Sequence, residues 1–331
     1  MNSLVQLKNS SGTRMVALVE HDALRLLDGV ESVYTLCQRA LASGEPLVKI
    51  AQAAAGSKTI PYDAAYFGGE WTILPAFDHP AEPARCFVSG TGLTHRASVD
   101  NRNAMHQTKT VVTDSMRMYE SGLEGGTPEP GTIGVSPEWF YKGNGTCLRG
   151  HGQALTVPAF SEDGGDESEI AGIYIIDNQG QPRRVGMAQG NEFSDHILEK
   201  RNYLYLASCK LRECSIGPEL ILDPEFHAVP GVARVRRGND LLWEKPIKSG
   251  EANMCHSLEN MEHHHFKFPL HRRPGDAHIH FFGASGFSFG DQVLLTNGDV
   301  MEVNFEGYGR PLRNPVAVEA GPASLARVLP L

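Results

Sequence analysis

The sequence predicts an α+β protein in which strands predominate. Three observations lead there. Residues 14–55 mix two short strand patterns with two helical ones, a small α/β unit. A proline-rich stretch at 75–85 then breaks the pattern. The rest of the chain is rich in strand patterns and glycine, and Ile170 to Ile176 is an apolar, β-branched run of the kind found in a buried strand.

In order, Arg14 to Glu20 and Ala23 to Leu27 read as strands joined by a polar turn. Asp28-Gly29-Val30-Glu31 has capping-box spacing, and Val30, Val33, Tyr34, Cys37 and Leu41 follow a helical stripe that Gly44 ends. A second helix is expected from Pro46 to Ala55, stopping at Gly56. The linker bounds a small N-terminal α/β domain, residues 1–80, and a larger domain, residues 86–331. Residues 122–137, dense in glycine and proline, read as a mobile lid. Val232 to Arg237 and Leu241 to Lys245 flank a hairpin turn at Gly238-Asn239-Asp240, and Glu251 to His265 reads as helix.

The chain has 331 residues, 41% of them apolar and 21% charged, enough to bury a full core. Its net charge of −9 argues against a nucleic-acid partner. No apolar run is long enough to span a membrane, and the N-terminus lacks the pattern of a signal peptide. Six cysteines without zinc-type spacing read as reduced thiols of a cytoplasmic protein.

Glu167-Ser168-Glu169 runs directly into the buried strand. Residues two apart project from one face, so these two carboxylates point together. They suit a hard divalent cation. The same spacing also fits a solvated acidic edge, since Glu162, Asp163 and Asp166 precede it. His196 and Glu199, one helical turn apart behind Ser194, fit an acid/base pair or an ordinary exposed pair. Lys210 by itself reads first as a surface lysine on a strand edge, and second as a cation for a substrate carboxylate or enolate oxygen. His95 is a further candidate base. His263-His264-His265 point about 100° apart around a helix, so they read as solvated helix-end histidines rather than a second metal site. One of His278 and His280 is expected to line a pocket.

Several separated segments, in order over residues 86–318, together resemble the fumarylacetoacetate hydrolase superfamily. Phe140-Tyr141-Lys142 resembles its aromatic-x-lysine strand. Glu167-Ser168-Glu169 resembles its E-x-E metal pair, and Asn191-Glu192-Phe193-Ser194 its N-D-x-[ST] segment, with Glu192 in place of aspartate. Lys210 stands ahead of Gly217-Pro218 as the family lysine does. Gly298-Asp299 through Glu302 and Gly307 through Pro315 resemble its C-terminal motifs. Phe282-Gly283-Ala284-Ser285-Gly286 takes the place of its T-G-T-P-x-G turn. The long run from Gly190 to His196, with Asn202 to Ala207 and Lys210 to Arg212, is similar to the sugar-acid branch, which includes 2-keto-3-deoxy-aldonate dehydratases.

The resemblance implies a mixed β roll or sandwich holding the site, a homodimer, and a 2-keto acid substrate. It implies Mg²⁺, with Mn²⁺ or Ca²⁺ as substitutes, held by Glu167, Glu169 and Glu192. Catalytic roles fall to Lys210, His196, Glu199 and His95, and substrate contacts to Lys142, Ser194, Gly283, Ala284 and Ser285. The implied activity is dehydration of a 2-keto-3-deoxy sugar acid, a pentonate first, to a 2-oxoglutarate-semialdehyde-type product. A C–C hydrolase of acylpyruvates or diketo sugar acids is the alternative. Against it stands the lack of a glutamate at the hydrolase spacing after His95, where Asp100 is the nearest carboxylate. A non-catalytic sugar-acid binding protein is the third reading.

Overall fold

The computed structural model describes residues 2–96 and 113–331. Its main element is a thirteen-stranded sheet. From one edge the order runs Ala55–Pro61, Ala23–Leu27, Arg14–Glu20, Ser3–Asn9, Leu220–Ile221, Pro182–Asn191, Ser168–Ile176, Ala277–Phe281, Cys86–Gly92 and Glu138–Asn144. Neighbours on this path are antiparallel except Ala277–Phe281 and Cys86–Gly92, which run parallel. A second sheet orders Asp240–Ser249, Val229–Arg237, Val300–Phe305, Leu312–Val318 and Leu155–Val157. The protein is thus a predominantly β α+β fold. Residues 1–80 and 86–331 share the large sheet, joined where Ser3 pairs with Ile221 and Leu4 with Leu220.

The first helix, Val33–Ser43, starts later than its sequence pattern suggests. Ser32, not Asp28, caps it by accepting from Thr35 N, and Gly44 ends it at φ 72°. The second helix stops at Ala53, because residues from Ala55 onward pair with Ala23–Leu27 as an edge strand. The expected lid over 122–137 is also corrected. Its first part belongs to the helix Asp114–Gly125, capped by Thr113. A Cβ on Gly126 would lie 2.1 Å from the Cys255 carbonyl oxygen. The glycine therefore serves close packing, and Asn260 fixes the segment beyond it by bonding Gly134 N (3.1 Å) and Val135 O (2.9 Å).

The histidine-rich segment is a core element, contrary to its reading as solvated. In the helix Leu258–Phe266, His265 follows Met261 by four residues and so shares its buried face. Trp139 Nε1 donates to His265 Nδ1 (3.2 Å), so the ring proton sits on Nε2 and is donated to His278 Nδ1 (3.0 Å). His280 bonds the Ser89 hydroxyl through Nδ1 (2.9 Å) and the Thr91 hydroxyl through Nε2 (2.7 Å). His271 joins through the His265 carbonyl (2.7 Å), and Phe87 stacks on His278 at 5.0 Å. Four imidazoles thereby fill part of a core. No helix among the described residues is long and apolar enough to cross a membrane.

Burial, reinforced by the neighbouring histidines, lowers His278 and His280 to about 3. An unfolded histidine titrates near 6.5. Between those values the unfolded chain binds protons that the folded chain does not, so stability is fully present above about pH 6.5 and is lost as pH falls. At pH 5.5 each of the two histidines is expected to cost about 1 kcal/mol. Urea midpoints measured from pH 7 to 5 should fall, and His280→Gln should flatten that slope.

Candidate metal centre

The site forms at one end of the hairpin made by Ser168–Ile176 and Pro182–Asn191. Ser168 pairs with Asn191 and Glu169 with Gly190, and Glu192 N continues the ladder by donating to Glu167 O (2.9 Å). This register sets Glu167 opposite Glu192 and places Glu169 on the same face. Gly190, which has no side chain, faces Glu169 across the strands. One carboxylate oxygen from each of Glu167, Glu169 and Glu192 lies within 4.8 Å of the others.

At that spacing each pair of buried carboxylates repels by roughly 3 to 4 kcal/mol at an effective dielectric near 20. Two lysines offset this. Lys142, wholly buried, sends Nζ to within 2.7 Å of Glu192 Oε1 and also donates to the carbonyls of Glu192 and Phe193. Lys210, at the end of the helix Leu206–Lys210, bridges Glu167 Oε1 and Glu192 Oε2, with its ammonium 4.8 Å from the centroid of Phe140. Burial opposes charge on Lys210, but the Glu167 and Glu192 carboxylates outweigh it and hold the ammonium protonated. Glu169 is held differently, by accepting from Gly283 N (2.7 Å). Burial first, then the charges of Glu192 and Glu167, raise its pKa well above the usual carboxylate range.

Three converging carboxylates, one of them held against ionisation by its neighbours, form an oxygen-only donor set that fits a hard divalent cation. Glu167, Glu169 and Glu192 would hold it.

The wall around the trio consists of Gly92, Leu93, Glu138, Phe140, His196, Glu199, Lys210, Gly283, Ala284 and Phe287. His196 lies in the first turn of the helix His196–Arg201 and bonds Glu167 Oε1 through Nε2 (3.0 Å). Its ring stacks on Phe287 with centroids 4.8 Å apart. Asp195, not Ser194, caps that helix by accepting from Leu198 N. Ser194 donates instead to the Glu192 carbonyl and to Glu192 Oε2 (both 3.2 Å).

The structure thus brings Glu167, Glu169, Glu192, Lys210, His196, Glu199, Gly283 and Ala284 together. Lys142 and Ser194 lie behind Glu192 rather than on the wall. Ser285 turns away, its hydroxyl accepting from Lys248 N (2.8 Å). His95 is buried beside Thr94, bonds its hydroxyl through Nδ1 (2.9 Å), and is not among the wall residues. Burial lowers it to about 4. Asp100 lies outside the described residues.

The sequence reading missed Glu138. Its carboxylate accepts from the Tyr203 hydroxyl, and it occupies space left by Gly92, where a Cβ would lie 1.9 Å from Glu138 Oε2. The signal was present: Glu138, Phe140 and Lys142 alternate along one strand and are all buried, as period two requires.

Glu169→Gln tests the trio directly. The amide removes charge at nearly constant volume. Without metal the thermal midpoint should hold, because burial and the neighbouring carboxylates already keep Glu169 from ionising. Mn²⁺ affinity, followed by the paramagnetic signal of the free ion, should fall by more than about tenfold, as changes to metal-site residues do. Unchanged Mn²⁺ affinity would show that the trio is not the site.

No protein-family model matches the sequence, and no curated protein matches it. Solved structures do. Apo 2-keto-3-deoxy-D-arabinonate dehydratase superposes with a TM-score of 0.70 at 18% identity, covering 96% of this chain and 100% of that one. The same enzyme complexed with magnesium and 2,5-dioxopentanoate gives 0.69 at 18%, with coverage of 96% and 100%. A 2-hydroxyhepta-2,4-diene-1,7-dioate isomerase from Mycobacterium marinum gives 0.60 at 14%, covering 97% and 100%. The chain folds as these enzymes do, in a predominantly β α+β architecture.

Proposed function

We propose that the protein is a divalent-metal-dependent hydro-lyase that removes water from a 2-keto-3-deoxy sugar acid. A pentonate is the first candidate, giving a 2-oxoglutarate-semialdehyde-type product. The observation that carries this reading is the buried glutamate trio bridged by Lys210, with two further carboxylates, Glu138 and Glu199, on the same wall. The fold likeness supports it, since the matching dehydratase was captured with magnesium and 2,5-dioxopentanoate.

Dehydration requires a proton to leave C3 and a hydroxyl to leave C4. A divalent cation held by Glu167, Glu169 and Glu192 would supply the positive charge that makes a C–H next to a ketone more acidic. The chain's own groups do the rest. Lys210 is a permanent cation on the wall and suits the substrate carboxylate or its neighbouring oxyanion. His196 is tied to Glu167 and stacked on Phe287, so it orients a ligand more than it reaches substrate. Glu199 and Glu138 are left to take the C3 proton and return one to the departing C4 oxygen. Phe140, Leu93 and Phe287 keep the site apolar between these groups.

The C–C hydrolase alternative needs a base that activates water near the metal. Its candidate, His95, bonds Thr94 and stands off the wall, which favours dehydration. A homodimer, implied by the sequence resemblance, and a cytoplasmic location, read from the cysteine pattern, belong to the same proposal.

The test is incubation of the protein and Mg²⁺ with 2-keto-3-deoxy-pentonates, 2-keto-3-deoxy-hexonates and an acylpyruvate, with products identified by mass. Loss of one water from a pentonate is expected, and Glu199→Gln should lower that rate by about 10² to 10⁴ while leaving Mn²⁺ binding intact. Pyruvate from the acylpyruvate alone would make the protein a hydrolase. No turnover with Mn²⁺ still bound would leave the binding-protein reading.

A further inference from the structure

Of the six cysteines, Cys147 is half-buried and the other five are buried. The Cys147 sulfur lies 3.8 Å from that of Cys214, a residue 67 positions away in the chain. The backbone has already brought the two together. Cys147 ends the short 3₁₀ turn Gly145–Cys147, and the next residue, Leu148, pairs in parallel with Cys214. A bond between the sulfurs therefore needs an approach of about 2 Å and no new chain path. Gly143 makes room for the outer sulfur: a Cβ there would stand 3.2 Å from Cys147 Sγ.

The two thiols are unequal. The hydrogen bond with Cys214, then the positive charges of Lys142 and Arg149, lower the pKa of Cys147 against its partial burial. Burial, then Cys147 itself, raises that of Cys214. A half-buried cysteine whose thiol is shifted toward the thiolate stands in front of a fully buried one shifted the other way, the arrangement of an attacking and a resolving thiol.

We propose that Cys147 and Cys214 form a redox-active dithiol that closes reversibly to a disulfide on reaction with a low-molecular-weight disulfide such as oxidised glutathione. The Cys147 thiolate attacks one glutathione sulfur, forming a mixed disulfide and expelling one glutathione thiolate. The Cys214 thiol loses its proton to the medium and attacks the Cys147 sulfur, expelling the second. The protein gives up two electrons and two protons, and the oxidant gains them as two thiols. The new bond lies beside Lys142, whose ammonium pairs with Glu192. It also lies on the strand Cys214–Ile216, which pairs with Gly190 and Asn191. Oxidation would thus act directly behind the carboxylate trio.

The test treats the full-length protein with oxidised glutathione, alkylates the remaining thiols, and maps peptides without reduction. The expected product weighs two hydrogens less than the starting protein, carries one Cys147–Cys214 cross-link, and reverts with dithiothreitol. Cys147→Ser should give neither cross-link nor adduct. Cys214→Ala should stop at a glutathione adduct on Cys147, which appears only in trace amounts in the unmodified chain. Peptide mapping of the unmodified chain decides the matter even where a variant fails to fold. A stable adduct on Cys147 with Cys214 still free, a cross-link through another cysteine, or an unreactive Cys147 would each overturn the proposal.

Discussion

Three glutamates and two lysines share one buried pocket of charge, and the surrounding structure is arranged around keeping it balanced. Desolvating an ion costs several kcal/mol even after relaxation. Neither Lys142 nor Lys210 would be stable in the core without its carboxylates, nor Glu192 without both lysines. The hairpin register sets the like charges face to face. The strand Glu138–Asn144 and the helix Leu206–Lys210, which pack against each other, bring the counter-charges. Removing Lys142, Lys210 or Glu192 leaves an uncompensated charge, so these residues act as one unit.

The second layer holds that unit in place. Asp166 accepts from Ser288 N (3.1 Å) and its hydroxyl, which ties the segment after Gly283 to the start of the metal strand. Asp195 caps the His196 helix and pairs with Arg212 (3.2 Å), and Arg212 in turn donates to the Asp163 carbonyl (2.8 Å). Glu162 N donates to Asp195 (3.0 Å). The acidic run that could have been a solvated edge is therefore largely structural. Asp163 and Asp166 are buried, and their oxygens and carbonyls anchor the elements that carry His196 and the Gly283 turn.

How much was legible in the sequence depends on the range of the interactions. The Glu167–Glu169 pair and its strand are local patterns of period two, and the structure keeps them. The small N-terminal strands and the hairpin at Gly238-Asn239 are local as well. What sequence reading lost depends on distant partners. The 122–137 stretch looks free only until Cys255 and Asn260 pack on it. His265 looks solvated until Trp139, His278 and His280 surround it. Ser194 has the composition of a cap, but Asp195 is closer to the helix start and Ser194 is drawn to Glu192 instead. Cys147 and Cys214 show no spacing motif at all, since a parallel strand pair unites them.

The charge count bears on the choice of reaction. The site holds five carboxylates, the trio with Glu138 and Glu199, against the ammoniums of Lys142 and Lys210. With all five ionised, even a divalent cation would leave an excess of negative charge before the proposed anionic keto acid entered. Repulsion of this size favours a proton retained on one of the carboxyls. Hydrolysis by a base at the metal would gain little from such a proton, because the base must be free to accept one. Dehydration does gain, because the C4 hydroxyl leaves as water only if a proton meets it. Under the proposed function, an acid-rich wall with a single lysine is thus better matched to expelling a hydroxyl than to generating one.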